Sequence, residues 1–139
     1  MILMRILIYG AGVIGSLYAA LFAEAGYDTN IYARGKRLEA LRNNGLQYKK
    51  NQEVIKAEIR ILGELPNDDI YDFVLLTVRE NQLYEALVEL KNNKSNTIVT
   101  MINSLDSYNK WEDIVGKGRI LPAFPGAGGS INDLSLIHI

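Results

Sequence analysis

The feature that most constrains this chain is a glycine-rich turn close to its first residue. Gly10-Ala11-Gly12-Val13-Ile14-Gly15 matches the pattern G-x-G-x-x-G and follows Arg5 to Tyr9, an apolar run typical of a buried parallel strand. From Val13 onward, apolar residues recur at helical spacing until Gly26, where a helix can end. A strand, a glycine turn and a helix in this order are the context in which the pattern binds a dinucleotide.

The three glycines have different tasks in this prediction. Gly10 lets the chain turn sharply, Gly12 leaves room for a pyrophosphate beside the backbone, and Gly15 lets the helix pack closely on the sheet. The helix N-terminus offers N–H groups and a positive dipole to the phosphates. We therefore predict cofactor contacts along the whole motif, from Gly10 to Gly15. The alternative is a tight turn without a ligand. A P-loop site is excluded because Gly-Lys-Ser/Thr does not follow.

The rest of the chain alternates between strand and helix patterns. Strands are predicted over Asp28 to Ala33, Phe73 to Val78 (a central strand), Thr97 to Ile102 and Arg119 to Phe124, and helices over Lys36 to Asn44, Gln82 to Leu90 and Trp111 to Val115. Leu46 to Leu62 alternates loosely and predicts an irregular stretch with one or two short strands. This order predicts an α/β fold of the Rossmann type, a doubly wound and mainly parallel sheet with helices on both faces.

Length predicts one domain, since 139 residues are close to the usual size of a single domain. We assign residues 1–131 to a dinucleotide-binding Rossmann domain and 132–139 to a tail, which would reflect a truncated parent protein or residues added for expression. Pro125 to Ser130 is expected to be a flexible connection near the site or a plain turn. His138, in the tail, receives no role.

Composition limits the function classes. Fifteen basic and sixteen acidic residues give a net charge of -1, so we expect neither nucleic acid nor an anionic membrane as a partner. The apolar run before Gly10 is too short for a membrane span or a signal sequence. With no cysteine and one histidine, a metal site is not expected, and a reducing cytoplasm suits the chain.

Arg34 stands where an acidic residue would be expected in a site selective for NAD. That acid lies about 20 positions beyond the glycine motif, at the end of the second strand, and accepts hydrogen bonds from the ribose 2′-OH. A guanidinium there can hold a 2′-phosphate, so the sequence predicts NADP as the cofactor. The alternative for Arg34 is a solvated surface charge. For Lys36 and Arg37, a solvated position is favoured over direct contact with the ligand.

Three further stretches together form a recognisable pattern: Tyr32-Ala33-Arg34-Gly35 with the helix after it, the strand ending at Thr77-Val78-Arg79, and Thr97 to Asn103. On these residues the chain resembles the N-terminal domain of ketopantoate reductases, over Met4 to Phe124. The resemblance implies NADPH-dependent reduction of a 2-oxo acid to a 2-hydroxy acid in pantothenate synthesis. Arg79 replaces the family's lysine and Asn103-Ser104 its Asn-Gly pair. The family's catalytic lysine and substrate-binding glutamate belong to a helical C-terminal domain that these residues do not include.

Two further residues are predicted to lie at strand ends that face the ligand crevice. Asn103 could orient the nicotinamide or a substrate carbonyl, or it could only shape the next turn. Arg79 could hold the cofactor phosphates or a substrate carboxylate, or it could be a surface charge at a helix start. The main hypothesis is an NADP-dependent reductase that could form a homodimer. Its cofactor domain alone is expected to be inactive. The alternative is a dinucleotide-sensing Rossmann module without catalysis.

Overall fold

A six-stranded parallel sheet forms the centre of the molecule. The computed structural model describes residues 4–102, 104 and 106–124, and the backbone of 130–131 and 136–138. The strands of the main sheet are β1 (Arg5–Tyr9), β2 (Asp28–Tyr32), β5 (Arg60–Leu62), β6 (Phe73–Leu76), β7 (Ile98–Met101) and β8 (Ile120–Ala123). Their order is β5-β2-β1-β6-β7-β8, and each neighbouring pair is parallel. The predicted Rossmann-type α/β fold is confirmed.

Helices cover both faces of this sheet. They are α1 (Val13–Glu24), α2 (Gly35–Asn44), α3 (Leu83–Asn92) and α4 (Tyr108–Val115), with a 3₁₀ turn at Glu80–Gln82 just before α3. Alternate residues of β1 point to opposite faces, so that Ile6 and Ile8 pack with α1 and α2, whereas Leu7 and Tyr9 pack with α3 and α4. Two apolar cores therefore fix the sheet between two helical layers.

The strand order reverses between β1 and β6. Chain order proceeds outward from β1 to β2 and β5 on one side, and from β6 to β7 and β8 on the other. In open α/β sheets, ligands bind outside the carboxyl ends of the strands at this switch point. The fold thus opens a crevice at the glycine turn, which follows β1 directly.

The segment from Leu46 to Leu62 contains three short strands, so the prediction of one or two is wrong. Strands β3 (Gln47–Lys50) and β4 (Glu53–Lys56) form an antiparallel hairpin, and only β5 joins the main sheet. Asn51 and Gln52 have positive φ angles of 50° and 67°, which make the tight hairpin turn. The sequence lacks a glycine at this turn, which is why the hairpin was not evident.

A second sheet has the order β4-β3-β10-β9. It includes β9 (Ser130–Ile131) and β10 (Leu136–His138), and β10 pairs in parallel with β3. Residues assigned to the tail therefore contribute a strand to the structure, although the division at residue 131 remains a prediction. Within the described ranges, no helix has the length and apolar character needed to cross a membrane.

Candidate functional site

A cleft of about 420 Å³ lies at the carboxyl ends of β1, β2 and β6. Its walls come from the glycine turn, from the end of β2 with the start of α2, and from the segment between β6 and α3. The residues that line it are Tyr9, Gly10, Ala11, Gly12, Val13, Tyr32, Ala33, Arg34, Arg37, Val78, Arg79, Gln82, Glu85 and Ala86. The volume and position suit an extended ligand at the switch point of the sheet.

The glycine turn forms one wall of the cleft and has the geometry that a pyrophosphate needs. A Cβ atom added at Gly12 would meet no heavy atom within 4 Å, so this side of the turn is open. Gly10 has a φ of +107°, in the region that favours glycine, and an added Cβ would lie 3.0 Å from the Val78 side chain. Gly10 therefore shapes the turn, whereas Gly12 leaves space beside it.

Gly15 faces away from the cleft and packs against the turn itself. An added Cβ would overlap the carbonyl oxygen of Gly10 and lie 2.5 Å from Thr77 Oγ1. Thr77, at the end of β6, donates a hydrogen bond to the Gly10 carbonyl at 2.8 Å. Gly15 and Thr77 thus hold α1 and β6 against the turn. Ile14 is half buried and also lies outside the cleft lining.

The N-terminus of α1 opens into the cleft. Gly12 is its N-cap residue, no side chain caps the helix in the described structure, and its first turn has no acidic residue. The first N–H groups of a helix lack partners within the helix, and the helix dipole favours an anion there. This end of α1 can therefore bind phosphate, and the residues that line the cleft there are Gly12 and Val13.

Arg34 forms part of a charged cluster at the other end of the cleft. Its Nη1 donates to Glu85 Oε1 at 2.8 Å, and its Nη2 donates to the Tyr9 hydroxyl oxygen at 2.7 Å and to Glu89 Oε1 at 3.1 Å. The Tyr9 hydroxyl donates to Glu89 Oε1, and the Tyr32 hydroxyl donates to Glu89 Oε2 at 2.9 Å. Arg34 is thus held at the cleft rather than freely solvated.

The tyrosines of this cluster act as hydrogen-bond donors at neutral pH. Burial is the largest cause that raises the pKa of Tyr9, and the hydrogen bond to Glu89 and its charge raise it further, against the opposing effect of Arg34. The same causes raise the pKa of Tyr32. Burial lowers the pKa of Arg34, but the hydrogen bond to Glu85 and the two tyrosines outweigh it and raise the pKa overall. Arg34 is therefore a permanent cation.

Arg37 contacts the glycine turn, although the sequence favoured a solvated position for it. Its Nε donates to the carbonyl oxygen of Ala11 at 2.7 Å, and its Nη2 donates to Ser16 Oγ at 2.9 Å. Burial lowers the pKa of Arg37. The favoured interpretation of Arg37 as a solvated charge is wrong, because the fold of α2 brings its side chain back onto the glycine turn. Lys36, in contrast, is exposed.

The structure describes Arg79 but not Asn103, and it adds cleft residues that were not predicted. Arg79 is exposed and lies on the cleft wall opposite the end of β2, directly before the 3₁₀ turn. Asn103 lies outside the described residues, so its predicted orienting role has no structural test. Gln82 and Glu85 line the cleft but were missed, since in the sequence they are only polar residues at the start of a helix.

The spacing of Glu85 and Glu89 in the sequence is a signal that could have identified them as neighbours on one helix face. They are four residues apart on α3, and residues at this spacing share one face of a helix. A pair of acids on one face of a helix is common, however, and nothing in the sequence alone connects that face to Arg34, which lies 51 residues before Glu85. Among the residues that the structure describes, no group of three or more acids or histidines is arranged to hold a metal ion.

Comparison with known proteins assigns the chain to a family. The family model described as Ketopantoate reductase PanE/ApbA matches residues 6–130. The chain belongs to the ketopantoate reductase family. The predicted family is therefore confirmed.

Individual relatives agree with this assignment. The 2-dehydropantoate 2-reductase of Mesorhizobium japonicum is 35% identical over 105 residues, which cover 73% of this chain and 32% of the relative. The one from Pyrococcus horikoshii is 30% identical, over 82% of this chain and 38% of the relative. The chain thus spans roughly a third of the length of these curated ketopantoate reductases.

Solved structures confirm the fold. D-mandelate dehydrogenase, in a ternary structure with NADH and anilino(oxo)acetate, has a TM-score of 0.85 at 19% identity, covering 98% of this chain and 45% of the other. At this identity the likeness shows the fold alone. This chain therefore corresponds to a Rossmann unit that makes up less than half of that larger chain.

Proposed function

We propose that this chain is the cofactor-binding domain of an NADPH-dependent reductase that converts a small 2-oxo acid, such as ketopantoate, to the 2-hydroxy acid. The observation that carries the proposal is the cleft itself. One end has an open glycine turn at a helix N-terminus, and the other end has a fixed arginine after β2. The two ends match the pyrophosphate and the 2′-phosphate of one dinucleotide.

The residues present fit this cofactor. Gly12 and the N-terminus of α1 would bind the pyrophosphate, because no side chain described there would block it and the first N–H groups lie at the cleft. Arg34 would bind the 2′-phosphate, and Arg37, on the same side, adds positive charge. Arg79 would contact a phosphate or the substrate carboxylate from the opposite wall.

When bound, NADPH supplies a hydride to the substrate carbonyl carbon. The contribution of this chain is to hold the cofactor and to orient it toward the carboxyl ends of β6 and β7, near Val78 and Arg79. Asn103, which follows β7, remains the proposed residue that orients the nicotinamide or the carbonyl. A proton for the new alkoxide must come from a general acid. Arg79 stays charged and is a poor acid, so the parent protein would supply that group from another domain.

The remaining features of the proposal follow from the family and the composition. We propose that the reaction belongs to pantothenate synthesis and that the protein works in the cytoplasm, where it could form a homodimer. We expect neither nucleic acid nor a membrane as a partner. A chain without cysteine suits a reducing compartment. The sensor hypothesis is not favoured, because the relatives that match this chain are named as reductases.

Two measurements on matched samples test this proposal. Calorimetric titration of the chain should show NADPH binding more tightly than NADH, and NADPH oxidation with ketopantoate should be negligible for the chain but substantial for the full-length protein. A chain without the second wall of the active site has no enclosed substrate pocket. Substantial turnover by the chain alone would contradict the domain assignment. If both proteins bind NADPH but neither oxidises it with ketopantoate, the result would favour the hypothesis of a dinucleotide-sensing module.

A further inference from the structure

Two carboxylates of α3 compete with any ligand for the guanidinium of Arg34. Glu85 and Glu89 both accept hydrogen bonds from it, one at each terminal nitrogen. We propose that Glu85 is a specificity-determining residue that opposes the 2′-phosphate of NADPH and narrows the preference of the site for NADPH over NADH. This inference rests on the function proposed above. Glu89, in contrast, serves to position Arg34.

The two carboxylates differ in their surroundings. The Glu89 side chain is 33% exposed and accepts hydrogen bonds from Tyr9 and Tyr32 as well as from Arg34, so it belongs to a network that it shares with three residues of the cleft wall. The Glu85 side chain is 74% exposed, and its described contact in the cluster is the one to Arg34 Nη1. Glu85 is therefore the carboxylate that a ligand can displace, while Glu89 and Tyr9 retain Nη2.

A 2′-phosphate would meet Glu85 in two ways. Arg34 is half exposed, and the Nη1 that a phosphate would approach from the cleft is already bonded to Glu85, which itself lines the cleft. The ligand must break that ion pair, which at an exposed position is weak. It must also bring a second negative group close to the carboxylate, and like charges repel. Both effects reduce the affinity for NADPH without excluding it.

The same carboxylate suits a ribose without the 2′-phosphate. In sites selective for NAD, an acid at the end of the second strand accepts a hydrogen bond from the ribose 2′-OH. This chain has Arg34 at that position, but α3 brings the Glu85 carboxylate within 2.8 Å of the same side chain. Glu85 can therefore accept the 2′-OH of NADH, so the cleft presents a group for each cofactor.

The test is a set of titrations on the native chain, on Glu85→Gln and on Asp113→Asn. Asp113 is an exposed acid on α4 outside the cleft lining, so its variant controls for the loss of one negative charge. The ligands are NADPH, NADH, adenosine 2′,5′-bisphosphate and adenosine 5′-monophosphate. The last two isolate the effect of the 2′-phosphate from the nicotinamide. Because Glu85 is exposed, we expect Glu85→Gln to retain the native circular dichroism spectrum.

We expect Glu85→Gln to bind NADPH and adenosine 2′,5′-bisphosphate about fivefold more tightly. The two ligands without a 2′-phosphate should change by less than about twofold, because the side-chain carbonyl oxygen of glutamine can still accept a hydrogen bond from the ribose 2′-OH. Asp113→Asn should change none of the four affinities appreciably. An unchanged ratio of NADPH to NADH affinity in Glu85→Gln, or weaker NADPH binding, would overturn the role of Glu85 while native binding of both dinucleotides still supported the proposed function. Failure of the native chain to bind either dinucleotide would overturn both.

Discussion

The two ends of the cleft are built from different parts of the chain. At the end where the pyrophosphate is proposed to lie, the surface is mostly backbone, and its key residues, Gly10, Gly12 and Gly15, lie in the turn after β1 and the first turn of α1. At the end around Arg34, where the 2′-phosphate is proposed to lie, the surface is made of side chains from β1, β2, α3 and the start of α2. A backbone site depends on local conformation, whereas a side-chain site depends on which distant elements the fold brings together.

This difference predicts different responses to substitution. A bulky change at the glycine turn should either destabilise the fold, where the backbone is closely packed as at Gly15, or block the ligand, where the space is open as at Gly12. A change in the cluster around Arg34 should alter affinity and selectivity in steps, because each hydrogen bond contributes separately and the groups are partly exposed.

The largest effect is expected for Gly15→Ala. The new Cβ would overlap the Gly10 carbonyl oxygen and crowd Thr77, both of which are fixed by hydrogen bonds, so unfolding should become easier by about 3 kcal/mol. Gly12→Ala is the matched control, since its Cβ meets no neighbour, and it should cost less than about 1 kcal/mol. Urea denaturation followed by circular dichroism measures both. Equal stability of the two variants would show that α1 does not pack on the turn as described.

The second effect concerns Gly12→Val, which should keep the fold and lose the ligand. The branched side chain would fill the open space beside the turn where the pyrophosphate is proposed to lie. We expect NADPH and NADH to bind at least about 100-fold more weakly, equivalent to roughly 2.7 kcal/mol. Fluorescence titration gives the affinity and circular dichroism reports the fold. A folded variant with native affinity for NADPH would place the phosphates elsewhere.

The smallest of the three effects is expected for Arg34→Ala, and it should separate the two cofactors. Loss of a charge-assisted contact should cost about 2 kcal/mol of NADPH affinity and leave NADH binding nearly unchanged. Arg42→Ala, on the last turn of α2 and outside the cleft lining, is the control for loss of a positive charge. Isothermal titration provides both affinities. Equal losses for NADPH and NADH would mean that Arg34 does not contact the 2′-phosphate.

The sequence predicted the fold well where its signals were local. Strand β1 and the start of α1 lie where the apolar run and the glycine motif placed them, and β6 is a central strand as predicted. The hairpin of β3 and β4 was not predicted, because its turn at Asn51 and Gln52 has no glycine. Element ends also shifted, since the predicted strand reaching Val78 ends at Leu76, where the chain turns toward α3.

What the sequence determined by itself is the glycine turn, the Rossmann-type α/β class and the presence of an arginine after β2, because each depends on residues close together in the chain. Only the tertiary structure decided what Arg34 and Arg37 contact. Arg34 meets Glu85 and Glu89 from a helix more than fifty residues away, and Arg37 returns to the carbonyl of Ala11. Such contacts depend on how layers pack on the sheet, and local spacing does not encode them.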